Sequence, residues 1–244
     1  MQISVICVYN DIEAYTSQLL VSLKLQDVEY ELIGIDNRER KYPSAAAALN
    51  AGAEQAAGDV LVFAHQDITL KSSDGLRKFA EAIAALPVGS VVGTQGVRDR
   101  SKVYYENLTA GETYIADYRY DYPMEPIEVS CVDEGFFGMC KETWERHHFD
   151  EVLCDNWHLY AVESCLYNRK TGGHVYVYPI QIHHYSMGTI SLGYMQNLKL
   201  LCKVYRSDFK YIWTTCYKVS THPLYINLLV WAWTMNRRLR GRLR

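Results

Sequence analysis

The stretch from Glu31 to Leu70, ELIGIDNRERKYPSAAAALNAGAEQAAGDVLVFAHQDITL, most narrows what this chain can fold into. It reads as strand, loop, helix and strand, and an acidic residue follows. Leu32, Ile33 and Ile35 form a short apolar run, with Asp36 at its C-terminal end. Ser44 can cap the next helix, which is Ala-rich through Ala57 and stops at Gly58. Val60 to Ala64 form a second strand of the buried type, closed by His65-Gln66-Asp67. Two parallel strands with a crossover helix put Asp36 and Asp67 on one edge of a sheet, where open α/β sheets bind ligands. The spacing therefore predicts two carboxylates facing one crevice.

The flanking segments extend this unit. Ile3 to Val8 is a buried strand ending in Tyr9-Asn10-Asp11, and Asn10 or Asp11 can cap the helix after it. Tyr15, Leu19 and Leu23 recur at fourfold spacing, the mark of a buried helical face. A further helix is predicted over Asp74 to Leu86, and a fourth strand, broken by glycines, over Val88 to Val97. Arg98 to Pro126 is polar, tyrosine-rich and without period, and reads as loops with short strands. Such long irregular segments are usually functional or mobile. Strand character returns from Val129 to Cys140 around Asp133-Glu134-Gly135. Helices follow from Lys141 to His148 and from about Asn156 to Lys170. His174 to Pro179 is an alternating strand, which Ile180 to Tyr185 extends through His183-His184. The fold class is α/β.

Composition narrows the function. The chain has 244 residues, enough for one large domain or two small ones, and its 49% hydrophobic content supports a sizeable core. A net charge of −3 gives no basic field for nucleic acid. The 7 cysteines are scattered without a C-x-x-C pair, which argues against a disulfide framework or zinc site and for reduced thiols in the cytoplasm. MQISVICVYND has no basic start and no long apolar run, so it reads as a first strand and not as a signal peptide. Many of the 20 tyrosines lie after Tyr104, a pattern of a stacking or interfacial surface, although tyrosines also fill cores.

After residue 190 the character changes, so the expected division is 1–190 and 191–244. Leu192 to Tyr205 reads as an amphipathic helix. Leu224 to Met235 is apolar but only about half of a membrane span. The chain then ends NRRLRGRLR. An apolar aromatic helix with a basic tail suits peripheral contact with the anionic inner face of the plasma membrane. A C-terminal helix packed on the domain with a solvated basic end is the alternative.

Several pieces together resemble the family 2 glycosyltransferases of the GT-A fold, in particular a bacterial glycosyltransferase-like branch with His-Gln-Asp in place of Asp-x-Asp. The pieces are ISVICVYND (3–11), ELIGIDNR (31–38), ALNAGAEQAAGDVLVFAHQD (48–67), VDEGFFGMCKETWE (132–145), FDE (149–151), NWHLYAVESCLYNRKTGGHVYVYP (156–179) and IHHYSMG (182–188). They stand in family order over about the first 190 residues. The resemblance implies a Rossmann-like, mixed and mainly parallel sheet flanked by helices, with the tail as a helical extension. It implies sugar transfer from a nucleotide diphosphate-sugar to a glycan or lipid-linked acceptor in bacterial surface polysaccharide synthesis, with Mg²⁺ or Mn²⁺ on the diphosphate. Such hard cations take one or two carboxylates plus phosphate and water. On this reading Tyr9, Asn10, Asp11, Asp36, Arg38 and Asp67 hold the donor nucleotide. Asp67 is a metal ligand, and His184, or its neighbour His183, completes the metal or diphosphate site. Trp157 and His158 line the acceptor or diphosphate side. The bland readings are that Asp36 is a strand-end turn residue and His184 a packed polar side chain.

The chain departs from the pattern at one position. The related branch carries Trp-His-x-Tyr-Asp-x-Asp, whose first Asp is the natural base for an inverting transfer. Here the stretch is Trp157-His158-Leu159-Tyr160-Ala161-Val162-Glu163, and alanine takes no proton. Glu163 is an alternative base, although two residues along a helix point about 200° apart. Asp155 is another, from just before the helix, and Asp133 and Glu134 follow. A chain with no base would be a degenerate member that binds a nucleotide-sugar, or a scaffold subunit of a glycan-assembly complex. A nucleotidyltransferase would need a Gly-rich basic phosphate loop early in the chain, which Tyr9-Asn10-Asp11 is not.

Overall fold

The computed structural model describes residues 1–99, 105–109, 112–113, 125–178, 180–186 and 189–240. Strand β1 (Ile3–Tyr9) is buried from Ile3 to Cys7. Asp11 then caps a helical run, its carboxylate accepting from the amides of Glu13 and Ala14. The run consists of α1 (Ile12–Ala14), a π-helical segment (Tyr15–Leu20) and α2 (Val21–Leu23). Tyr15, Leu19 and Leu23 are all buried. A period of four exceeds the 3.6 residues of an α-helical turn, and the wider π turn keeps the three on one face.

Strand β2 (Glu31–Asp36), helix α3 (Ala45–Ala53) and strand β3 (Val60–Ala64) form the expected unit. Ser44 caps α3 through the Ala47 amide. The helix ends at Ala53, not Ala57. Gln55 and Ala56 already bond to Gly52 and Ala53 in tighter turns, and Gly58 donates to Ser4 Oγ at 2.9 Å, which draws the chain into β3. Strand β4 (Ile68–Leu70) and helix α4 (Gly75–Ala84) follow. The expected fourth strand is two strands in different sheets, β5 (Val91–Gly93) and β6 (Gln95–Asp99). The chain passes close to Val132 at this break: a Cβ on Gly93 would lie 2.5 Å from Val132 Cβ.

The irregular segment contains β7 (Tyr105–Thr109) and β8 (Glu112–Thr113), and its residues 114–124 lie outside the described ones. Then come β9 (Ile127–Glu128), β10 (Cys131–Val132), β11 (Phe136–Cys140), α5 (Lys141–Arg146) and α6 (Tyr160–Lys170). Helix α6 starts at Tyr160 and not at Asn156. Leu159, 1% exposed, takes the left-handed conformation at φ 73°, which interrupts a helix there. Strands β12 (Val175–Val177) and β13 (Ile182–His184) are separate and lie in different sheets, where one continuous strand was expected. The chain closes with α7 (Leu192–Val204), β14 (Tyr211–Trp213), β15 (Lys218–Ser220) and α8 (Pro223–Leu239).

The main sheet has the order β2-β1-β3-β11-β5-β12-β9. Its β2, β1 and β3 are parallel, and β11 runs antiparallel between β3 and β5. Both faces are covered, so strand residues alternate between two cores. Leu61 and Phe63 belong to the cluster of α3, α6 and α7, while Val60 and Val62 belong to that of α2 and α4. Residues of α7 such as Met195 and Leu198 sit in the same core as β3. Among the described residues no helix is long and apolar enough to cross a membrane.

Candidate active site

Three chain segments meet at the C-terminal ends of β1 and β3. Antiparallel pairing of β13 with β4 sets His184 opposite Ile68, and the Tyr185 amide donates to the Asp67 carbonyl at 3.1 Å. This register brings His184 Nε2 to 3.4 Å from Asp67 Oδ1. His65 and Asp67 are two apart in the stretch that leaves β3. Ligand atoms of His65, Asp67 and His184 all lie within 4.8 Å of one another. Tyr160 OH sits 3.1 Å from His65 Nε2, which turns the other ring nitrogen, Nδ1, toward His184 at 3.4 Å. A hydrogen bond on the far nitrogen is how proteins fix the orientation of a ligating imidazole.

Electrostatics prepares two of the three side chains for a cation. At His184 burial lowers the pKa, but the bond to Asp67 and its charge outweigh burial and raise it, so a cation would displace a proton there. Burial alone would raise the pKa of Asp67, but bonds from His184 and Ser186 and the charge of His184 hold its carboxyl well below the ordinary range. Burial, reinforced by His184, pushes the His65 pKa down to about 4, so its imidazole is neutral. A metal ligand must be an ionised carboxylate or a neutral imidazole. Two imidazoles and one carboxylate suit Mn²⁺ better than Mg²⁺, which prefers oxygen alone.

The cluster opens into a cleft of about 530 Å³ that also takes in Tyr9, Asn10, Asp11, Glu134, Trp157 and His158. A second lobe of about 560 Å³ shares Asn10 and Trp157 with it and is lined by Arg38, Arg40 and Tyr42. Gln66 fixes the tip of β1. Its Oε1 accepts from the amides of Asn10 and Asp11 at 2.8 and 2.9 Å, and its Nε2 donates to Asn10 Oδ1. Trp157 is 42% exposed, which leaves a ring face for stacking. Glu134 is paired with His158 Nδ1 at 3.5 Å through Oε2, while its Oε1 is buried without a hydrogen-bond partner. Burial raises the Glu134 pKa despite His158, and the bond to Glu134 raises that of His158.

The remaining sequence candidates do not line this cleft. Asp36 lines neither lobe. Arg38 grips it with Nε at 3.0 Å and Nη2 beside Oδ2, which holds its pKa down to about 2. His183 falls on the opposite face of β13 from His184, its ring 4.3 Å from that of Tyr185. Asp133 is engaged by the Gly135 amide and the Thr215 hydroxyl. Asp155 is exposed and accepts from Asn197 Nδ2 at 3.1 Å. Glu163 is fully buried in α6, with His147 Nε2 at 3.0 Å and the Tyr205 hydroxyl on its carboxylate. That is a structural pair, and it gives Glu163 no access to substrate. The sequence marked His65 and Gln66 as part of the His-Gln-Asp motif without giving them roles, and Tyr160 and Ser186 escaped it. The i, i+2 spacing of His65 and Asp67 was the signal for the first.

The chain belongs to the glycosyltransferase-like family whose model matches residues 4–210. Its fold is similar to that of GalNAc-T7 solved with UDP, GalNAc and Mn²⁺, at 13% identity and a TM-score of 0.60 over 82% of this chain and 47% of that one. It is also similar to residues 1–349 of Staphylococcus aureus TarS with UDP-GlcNAc, at 14% identity and a TM-score of 0.55, over 86% and 68% of the two chains. The chain thus spans about half the length of the GalNAc-T7 structure. These likenesses establish a GT-A-like α/β fold with a mixed sheet flanked by helices. A search of curated proteins gave no match.

Proposed function

We propose that this protein is a metal-dependent inverting glycosyltransferase that moves a sugar from a nucleotide diphosphate-sugar to a glycan or lipid-linked acceptor of a bacterial surface polysaccharide. The observation that carries the reading is the His65–Asp67–His184 cluster opening into a cleft that also contains an underpartnered carboxylate, Glu134. The two solved relatives, described with UDP and Mn²⁺ or with UDP-GlcNAc, support a nucleotide-sugar donor.

Asp67, His65 and His184 would hold the divalent cation, preferably Mn²⁺. When bound, it offsets the charge of the diphosphate and makes it a better leaving group. Tyr9, Asn10 and Asp11, locked by Gln66, present the β1 tip to the donor. Arg38 and Arg40 place positive charge in the second lobe. Trp157 stands where the lobes meet and offers its face to a ring. Glu134 takes the proton from the acceptor hydroxyl as the new C–O bond forms and the sugar–phosphate bond breaks. Its raised pKa makes it a stronger base than an ordinary carboxylate. Glu134 thereby fills the role that Ala161 cannot.

The test is release of nucleoside diphosphate from a panel of nucleotide-sugars with Mn²⁺. Asp67→Ala is expected to abolish release, and Glu134→Gln to lower it by about 10²–10⁴-fold. Turnover that persists in Asp67→Ala with a chelator present would remove the metal assignment. A second reading, a nucleotide-sugar-binding scaffold, is favoured by Ala161. Metal-dependent donor binding without turnover on any acceptor extract would select it.

A further inference from the structure

The outer face of α8 is apolar. Leu224, Leu228, Trp231 and Leu239 are 66, 55, 62 and 82% exposed, and with Met235 they follow steps of three and four, so they form one stripe. The inner face, with Ile226 buried and Leu229, Val230 and Trp233 packed on the core, is already satisfied. A surface helix normally turns polar side chains outward, so this stripe lacks its partner.

Charge around the stripe names that partner. Residues 209–244 contain seven Lys and Arg and no Asp or Glu, in a chain whose net charge is −3. Arg238 and Arg240 are exposed at the end of α8. At its start an open groove of about 1360 Å³ is lined by Arg206, Lys210, Lys218 and His222 and shares Tyr225, itself 61% exposed, with the helix. The acid in that groove, Asp208, is paired with Lys170 at 3.2 Å. Cations thus stand at both ends of an apolar aromatic stripe. Two copies packed along it would bring together only like charges. An anionic lipid surface satisfies both features, taking the stripe into the acyl boundary and the cations at the headgroups.

We propose that α8 and the adjoining groove dock this protein on an anionic membrane surface, with α8 lying in the interface plane. The docked element continues into the cleft. The turn between β14 and β15 carries Thr215, which donates to Asp133 Oδ2 at 2.9 Å, next to Glu134. The acceptor side of the cleft is therefore tied to the docking face. Docking itself does not depend on the chemistry of the cleft.

The experiment is co-sedimentation of the full chain with phosphatidylcholine vesicles and with vesicles enriched in phosphatidylglycerol. The anionic vesicles should bind at least about tenfold more tightly, and less so as salt rises. Leu228→Glu with Trp231→Glu should weaken binding about tenfold or more at every salt concentration. Arg238→Glu with Arg240→Glu should weaken it mainly at low salt. Both pairs are surface changes, and an unchanged Tm verifies the fold. Equal or absent binding to the two vesicle types by the wild type overturns the proposal. So does a dimer in lipid-free sedimentation velocity that Leu228→Glu dissociates in a protein that ignores vesicles, because the stripe is then a seam between copies.

Discussion

His65 Nδ1 lies 3.4 Å from His184 Nε2, although 119 residues separate the two in the chain. Asp67 completes the group, and the hydroxyl of Tyr160 orients His65 from behind. Tyr160→Phe keeps the ring that packs on Phe137 and Phe149 and removes only this bond. It is expected to lower Mn²⁺ affinity by about 10–100-fold, as loss of a supporting hydrogen bond at a metal ligand does. Electron paramagnetic resonance of free Mn²⁺ during a titration measures this without any substrate. Unchanged affinity would detach Tyr160 and His65 from the metal.

Glu134 binds its proton more tightly in the fold than in the unfolded chain, because burial raises its pKa. The stability it contributes is present below the ordinary carboxylate pKa and is lost as pH rises through the raised value. Activity runs the other way, since a base must be ionised. The acidic limb of kcat/KM is expected above the ordinary carboxylate range. Glu134→Gln should flatten that stability slope and be at least as stable as wild type at neutral pH while losing turnover. A gain of about 1 kcal/mol would read as about 2–4 °C in Tm. A variant that is both inactive and much less stable would make Glu134 a structural residue.

Glu163 serves the core. Glu163→Ala leaves His147 and Tyr205 without their buried acceptor, at a cost of about 2–4 kcal/mol. The expected loss in Tm is roughly 5–15 °C. Donor affinity, measured well below that Tm, should stay within about twofold of wild type, a difference below 1 kcal/mol. A large loss of donor affinity in a folded protein would return Glu163 to the site.

Trp157 is exposed, so Trp157→Ala should change Tm little. Loss of one stacked ring is worth about 0.5–1.5 kcal/mol beyond area. A rise of several-fold in donor or acceptor KM, with kcat less affected, is the expected outcome of steady-state kinetics.

The first third of the fold was legible because local signals agreed. Ser44 caps α3, the apolar runs of β1 and β3 are buried on both faces, and Asp67 follows the second of them. What escaped depended on distant pairing. Nothing local tells that β13 leaves the main sheet to pair with β4, or that β5 and β6 part at Gly93. The choice between His183 and His184 is likewise a matter of register, since neighbours on a strand face opposite ways. Around Ala161 the expected helix start misled. The left-handed Leu159 delays α6 to Tyr160, so Trp157 and His158 are presented by a loop, and Glu163 turns inward.

The most direct test of the central claim is calorimetric titration of the purified protein with UDP, with Mn²⁺ and again with a chelator. The account predicts binding that requires Mn²⁺ and disappears in Asp67→Ala, while circular dichroism shows the variant folded. UDP binding of the same affinity with chelator present, or unchanged in folded Asp67→Ala, would contradict it.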